Sequence, residues 1–130
     1  MAPKKVGSAK AWKARATLLE EALGYPEAWV DHPWGETVVK VNKKVFVFFG
    51  MDEGSEHGPG IGVKLADSHE QALSHPTIEP SGYGLGKAGW VSISFGAQMP
   101  PLDVLRDWID ESYRLVALKR NIKELDAREA

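Results

Sequence analysis

"ETVVKVNKKVFVFFG", residues Glu36–Gly50, sets two runs of β-branched and aromatic side chains around the polar trio Asn42-Lys43-Lys44. Such residues fill a pleated, half-buried surface well, and a short polar link between two such runs predicts a β-hairpin. The second arm, "VFVFF", is apolar at both alternating sets of positions, so it is expected to be a central strand covered on each side. Downstream, "MDEGSEHGPG" is acidic, glycine-rich and without periodicity, which predicts a solvated loop that includes Asp52 to Glu56. "GIGVKLA" restores the alternation, with Ile61, Val63 and Leu65 on one side and Gly62, Lys64 and Ala66 on the other. "WVSISF" does the same, with Val91, Ile93 and Phe95 opposite Trp90, Ser92 and Ser94.

The flanking segments carry a helical rhythm. In "AWKARATLLEEALG", Trp12, Ala16, Leu19 and Leu23 recur at helical spacing, Ser8 stands where an N-cap belongs, and Gly24 before Tyr25-Pro26 ends the run. Residues 1–8 are expected to form a flexible tail. "DSHEQALSHP" predicts a short helix capped by Asp67 or Ser68 and closed before Pro76. "TIEPSGYGLGKAG" holds too much glycine and proline for a regular element. After Pro100-Pro101 one long helix is expected, burying Leu102, Leu105, Ile109, Tyr113 and Val116. Its acids (Asp103, Asp107, Asp110, Glu111) come early and its bases (Lys119, Arg120, Lys123) late, as the helix dipole favours. The expectation is one α+β domain over residues 9–130, an antiparallel sheet with helices packed on one face in the order αβββαβα.

At 130 residues, 43% hydrophobic and 26% charged, the chain has the composition of a single globular domain. No apolar run approaches the ~18 residues of a membrane helix and no secretory signal is evident, so a cytoplasmic protein without membrane contact is expected. The absence of cysteine removes disulfides, thiolate metal sites and thiol nucleophiles. A net charge of −2 argues against general positive potential and leaves room for a local basic patch.

Strand alternation supplies such a patch. With Val39, Val41, Ile61, Val63, Val91, Ile93 and Phe95 facing the core, Val38, Lys40, Lys64, Trp90, Ser92 and Ser94 face outward. Lys43 and Lys44 at the hairpin tip and Lys87 just before Trp90 extend the set. Amines beside a flat aromatic suit phosphate contact plus base stacking. They equally suit a plain exposed sheet, where lysine blocks edge pairing.

Catalytic chemistry finds little footing. His69 and His75 are six residues apart, about 120° out of alignment on a helix, and no H-E-x-x-H pair is present, so no metal site is expected. "GYGLGK", Gly82–Lys87, has Ser81 where a Walker loop needs glycine and Ala88 where it needs a hydroxyl. Its glycines are better explained by tight turns and close backbone approach ahead of Trp90. No G-x-S-x-G elbow occurs, and the pairs Asp52-Glu53 and Asp110-Glu111 are adjacent residues that point apart. A non-enzymatic protein without cofactors is expected. In "DHPWGE", Asp31–Glu36, Pro33 holds His32 extended and Gly35 releases the turn, so the segment is expected to be an architectural corner, with Trp34 packed over a sheet edge. A ligand-facing His32–Trp34 pair is the competing reading.

These segments carry a family likeness. "YPEAWVDHPWGETVVKVNKKVFVFFG", "GIGVKLA", "HPTIEPSGYGLGKAGWVSISF" and "LRDWIDESYRLVALK" resemble the MmcQ/YjbR family from about Tyr25 to Lys119. The resemblance implies a frataxin-like fold and DNA binding through a double-wing arrangement, with Lys40, Lys43 and Lys44 on one wing and Lys87 and Trp90 on the other. The first helix carries only Glu20 and Glu21 near its end, so the acidic iron ridge of frataxins is not implied. The expected function is weak, salt-sensitive binding of DNA by a monomer through Lys40, Lys43, Lys44, Lys64, Lys87 and Trp90. The alternative is a non-catalytic module that grips a protein or small ligand through Trp90 and Trp34.

Overall fold

The computed structural model describes residues 7–53 and 57–129, so most of the expected N-terminal tail and positions 54–56 of the acidic loop lie outside the described residues. The hairpin forms as its composition requires: β2 (Thr37–Val41) and β3 (Lys44–Gly50) pair antiparallel across Asn42-Lys43. Asn42 takes a positive φ of 56°, which asparagine tolerates better than most residues. β4 (Gly60–Lys64) pairs with β3 on one side and β6 (Trp90–Ser94) on the other.

Two further short strands, β1 (Ala28–Asp31) and β5 (Ile78–Pro80), complete a six-stranded antiparallel sheet in the order β1-β2-β3-β4-β6-β5. Both are edge strands; β5 lies where the sequence predicts irregular chain, and β1 in the stretch that leads from the first helix into the expected corner, for which the sequence predicts no element. Pro80 ends β5 at an edge, where a missing N–H costs no ladder bond.

One sheet face carries Val39, Val41, Val47, Ile61, Val63, Val91 and Ile93 into the main core, where the helices meet it. α1 (Ala9–Ala22) is capped as expected, the Ser8 hydroxyl accepting from the Ala11 N–H at 3.1 Å. Its buried stripe, however, is Ala11, Ala14, Arg15, Leu18 and Ala22 with Trp12, while Ala16 and Leu23 are exposed. Alanines allow the helix close approach to its neighbours, so the largest apolar side chains do not mark the packed face.

α2 (His69–Leu73) has no side-chain cap of its own from Ser68; Glu111 does that work from 43 residues away, accepting from Ala66 N–H at 2.8 Å and from the Ser68 hydroxyl at 2.8 Å. α3 (Leu102–Val116) buries Leu105, Trp108, Ile109, Ser112 and Tyr113, close to the expected stripe. The buried Ser112 hydroxyl donates to the Phe46 carbonyl and accepts from the Lys64 N–H, bridging β3 and β4 beyond their last paired residues.

The single C-terminal helix expected from the sequence is two. Ala117 is extended, and α4 (Lys119–Glu129) starts afresh after it. Buried Asn121 accepts from the Leu118 N–H through Oδ1 and donates through Nδ2 to Glu27. The bases Lys119 and Arg120 therefore open a helix instead of closing one, and Arg120 is matched by Glu27 at 3.2 Å. Among the described residues no helix is long and apolar enough to cross a membrane.

Candidate nucleic-acid interface

The strand register assigns the outer face directly, because residues opposite each other in an antiparallel ladder share a side. Trp29 faces Lys40, Asp31 faces Val38, Val38 faces Phe48, Phe48 faces Gly62, Gly62 faces Ser92, and Lys64 faces Trp90. Lys40, Lys64 and Trp90 thus share the face opposite the main core, as the alternation predicts. Antiparallel pairing also gathers ends: the start of β3, the end of β4 and the start of β6 lie together. Lys43, Lys44, Lys64 and Lys87 accordingly cluster about one end of the sheet. Among the described residues none of the four has a carboxylate partner.

Two members of the expected set behave differently from the expectation. Trp90 is only 8% exposed and packs edge-on against Phe48 with ring centroids 5.1 Å apart. Val38, on the same face, is fully buried as well, and the Trp90 ring is not open to a stacking partner. Lys40 is committed to Asp31, with Nζ 2.7 Å from Oδ2, and lies 5.1 Å from the centroid of the Trp29 ring. The Lys40 ammonium, and after it the His32 amide, hold the Asp31 carboxyl below the usual range. The exposed aromatic beside a lysine is therefore Trp29, 44% exposed, whose indole N–H donates to the Asn42 carbonyl at 2.7 Å. Trp29 stands on β1, a strand too short to show alternation, and the apolar "AWV" before "DHP" is its one signal in the sequence.

The "GKAGW" segment follows its expected steric logic. Gly89 has a φ of 100° and its carbonyl accepts from the Leu65 N–H at 2.9 Å; a Cβ there would stand 2.6 Å from the Leu65 oxygen. Only glycine allows that approach.

The "DHPWGE" corner divides in two. Asp31 is architectural, its Oδ1 accepting from the His32 N–H at 2.8 Å. His32 turns towards Thr37, whose hydroxyl donates to Asp52 at 3.2 Å, and Asp52 in turn meets Arg15 at 3.2 Å. Arg15 is buried and donates to the Phe49 carbonyl at 2.9 Å, anchoring the far end of β3 to α1. Trp34 does not pack over the sheet edge: it is 96% exposed on a backbone with φ 55°. His32 and Trp34 are thus separated.

Trp34 instead stands on the rim of a groove of about 660 Å³ over the outer face, which runs from the ends of β3 and β6 and the start of β4 to the segment Ser81–Leu85 that leads into Lys87. Phe48, Gly62, Ser92 and Ser94 contribute to its lining, and Tyr83 also lines it. Tyr83 is fully exposed and likewise has a positive φ, 58°. Among the described residues, no group of three or more His, Cys, Asp or Glu is placed to hold a metal ion.

The YjbR family model matches residues 23–115, well over half of the chain, spanning β1 to β6 and most of α3. No curated protein matches the sequence. The matched span contains the hairpin, the "DHPWGE" corner and the "GKAGWV" turn on which the resemblance rested, and the chain belongs to the YjbR family.

Proposed function

We propose that the protein is a small non-enzymatic nucleic-acid-binding protein, contacting the phosphate backbone of DNA at the lysine-bearing end of its sheet. The observation that carries this reading is the gathering of Lys43, Lys44, Lys64 and Lys87, free of carboxylate partners among the described residues, by the pairing of β3, β4 and β6 and the turns that lead into them. Unpaired amines grouped on one surface attract phosphate by displacing its counterions, a force that depends steeply on salt. Trp29, half-exposed beside the hairpin turn, adds a ring at the same end. Lys40 contributes less than its position suggests, because Asp31 already neutralises it. Asp52 and Glu53 follow β3 at the other end of the sheet, where they do not oppose phosphate at the lysines.

Affinity for a DNA duplex is expected to fall with salt, with a log–log slope of about −3 to −4 if all four amines meet phosphates. Lys43→Glu with Lys44→Glu is expected to abolish binding at moderate salt. Fluorescence anisotropy of a labelled duplex at two salt concentrations reads both effects. A double variant that binds as well as the wild type would remove these lysines from the interface.

A further inference from the structure

We infer that the groove between Trp34 and Tyr83 is a binding site for a flat heteroaromatic ring of the nucleobase kind. Two large aromatic side chains stand out of the protein, and the hydrophobic effect ordinarily draws such rings inward. Both also hold positive φ angles, 55° and 58°, a conformation that bulky side chains rarely adopt and that surrounding structure must maintain. Two separate loops, the corner before β2 and the segment after β5, each present an exposed ring on such a backbone to one cavity. Its volume, about 660 Å³, falls within the range of small-molecule sites.

The lining chemistry narrows the class of ligand. Phe48 lies over Gly62 and gives the groove an apolar wall, and the Ser81 and Ser92 hydroxyls, hydrogen-bonded to each other at 2.8 Å, keep further lone pairs to offer a ring edge together with Ser94. The acidic and basic side chains of the lining are Glu36 and His57, with the Tyr83 phenol on the rim, and among the described residues no lysine or arginine joins them. A phosphate gains nothing in such surroundings, whereas an uncharged ring with polar edges does. The lysine cluster begins further along the same strands: Lys64 follows the lining residue Gly62 by two positions on β4, about 7 Å, and Lys87 follows Leu85 by two. The ring can therefore arrive as a free nucleoside or as an unpaired base of a strand whose phosphates meet the lysines. Only the second source rests on the proposed function.

The test titrates ¹⁵N-labelled protein with adenosine, with a single-stranded oligonucleotide and with a duplex. It follows the Trp34 indole N–H, assigned by its loss in Trp34→Asn, and the Tyr83 amide. Asparagine accepts positive φ, so Trp34→Asn and Tyr83→Asn keep the backbone, and unchanged melting temperatures certify the fold. Adenosine is expected to shift both resonances independently of salt, with affinity reduced about fivefold or more in either variant and unchanged in Lys43→Glu/Lys44→Glu. The single strand is expected to bind better than the duplex, a preference lost when both rings are replaced. If neither adenosine nor the single strand moves these resonances, or if the double-ring variant binds them as the wild type does, the groove assignment is overturned. Duplex binding that still depends on Lys43 and Lys44 would then leave the proposed function standing. Adenosine binding without DNA binding at any salt would support the groove and refute the proposed function.

Discussion

Trp34 and Arg15 invert the usual rule of burial, the indole lying outside and the guanidinium inside. Arg15 is tolerated there because its donors meet the Phe49 and Gly50 carbonyls and Asp52, and its guanidinium carbon lies 5.4 Å from the centroid of the Trp12 ring. Trp34 has no such justification in folding. Trp34→Gly is expected to leave stability unchanged or to raise the melting temperature by a few degrees, since glycine suits φ 55° and no buried area is lost. Phe46→Ala, by contrast, is expected to cost about 3–5 kcal/mol, because Phe46 is fully buried against Tyr113. Thermal melts of the two variants check both. A large loss in Trp34→Gly would mean that the indole holds the corner together. The sequence marked "DHPWGE" as dense with functional groups, but composition carries no information about which side of a turn a ring leaves from.

At the scale of elements, the interior of the sheet was legible and its margins were not. β2, β3, β4 and β6 each run for five or more residues rich in β-branched or aromatic side chains, whereas β1 and β5 have four and three. A strand that short forms because a neighbour offers it a ladder, not because of its own pattern. The break between α3 and α4 is similar. No glycine or proline marks it; it exists because Asn121 is buried and ties Leu118 to Glu27. Asn121→Leu is expected to cost about 2–3 kcal/mol, combining a lost helix cap with a lost hydrogen bond to a carboxylate. Urea denaturation reads it as a lower midpoint at unchanged slope. A neutral result would mean that the break is maintained by packing alone.

The whole molecule joins its helical layer to the sheet through a tyrosine cluster in which Tyr25, Phe46 and Tyr113 pack with centroids 4.7–5.7 Å apart. Tyr113 donates to the Pro26 carbonyl at 2.7 Å and Tyr25 to Asp110 at 2.9 Å. Burial pushes the Tyr113 hydroxyl up to about 12, and burial followed by the Asp110 charge raises that of Tyr25. Because both folded values exceed the ordinary ~10, the stability these groups supply is complete below pH ~10 and is lost as pH rises through the folded values. The urea midpoint is therefore expected to fall between about pH 10 and 12, and less steeply in Tyr113→Phe. An equal fall in that variant would place the alkaline sensitivity elsewhere. On the acid side the sign reverses: Arg120 and Asn121 lower Glu27, and Lys40 lowers Asp31, so those contributions are complete above the ordinary carboxylate range and fade as pH falls below it. The tertiary arrangement also divides the outer face into a lysine-bearing end and an aromatic-rimmed groove, and the two proposals occupy one each.

By itself the sequence determined the hairpin, the faces of the long strands, the cap of α1, the buried stripe of α3 and the family motifs, because each is written within a few consecutive residues. Tertiary structure alone decided the edge strands, the split C-terminal helix, the burial of Trp90, the neutralisation of Lys40 and the exposure of Trp34 and Tyr83. Alternation says on which side of a strand a side chain lies, whereas what covers that side depends on residues distant in the chain and brought there only by folding.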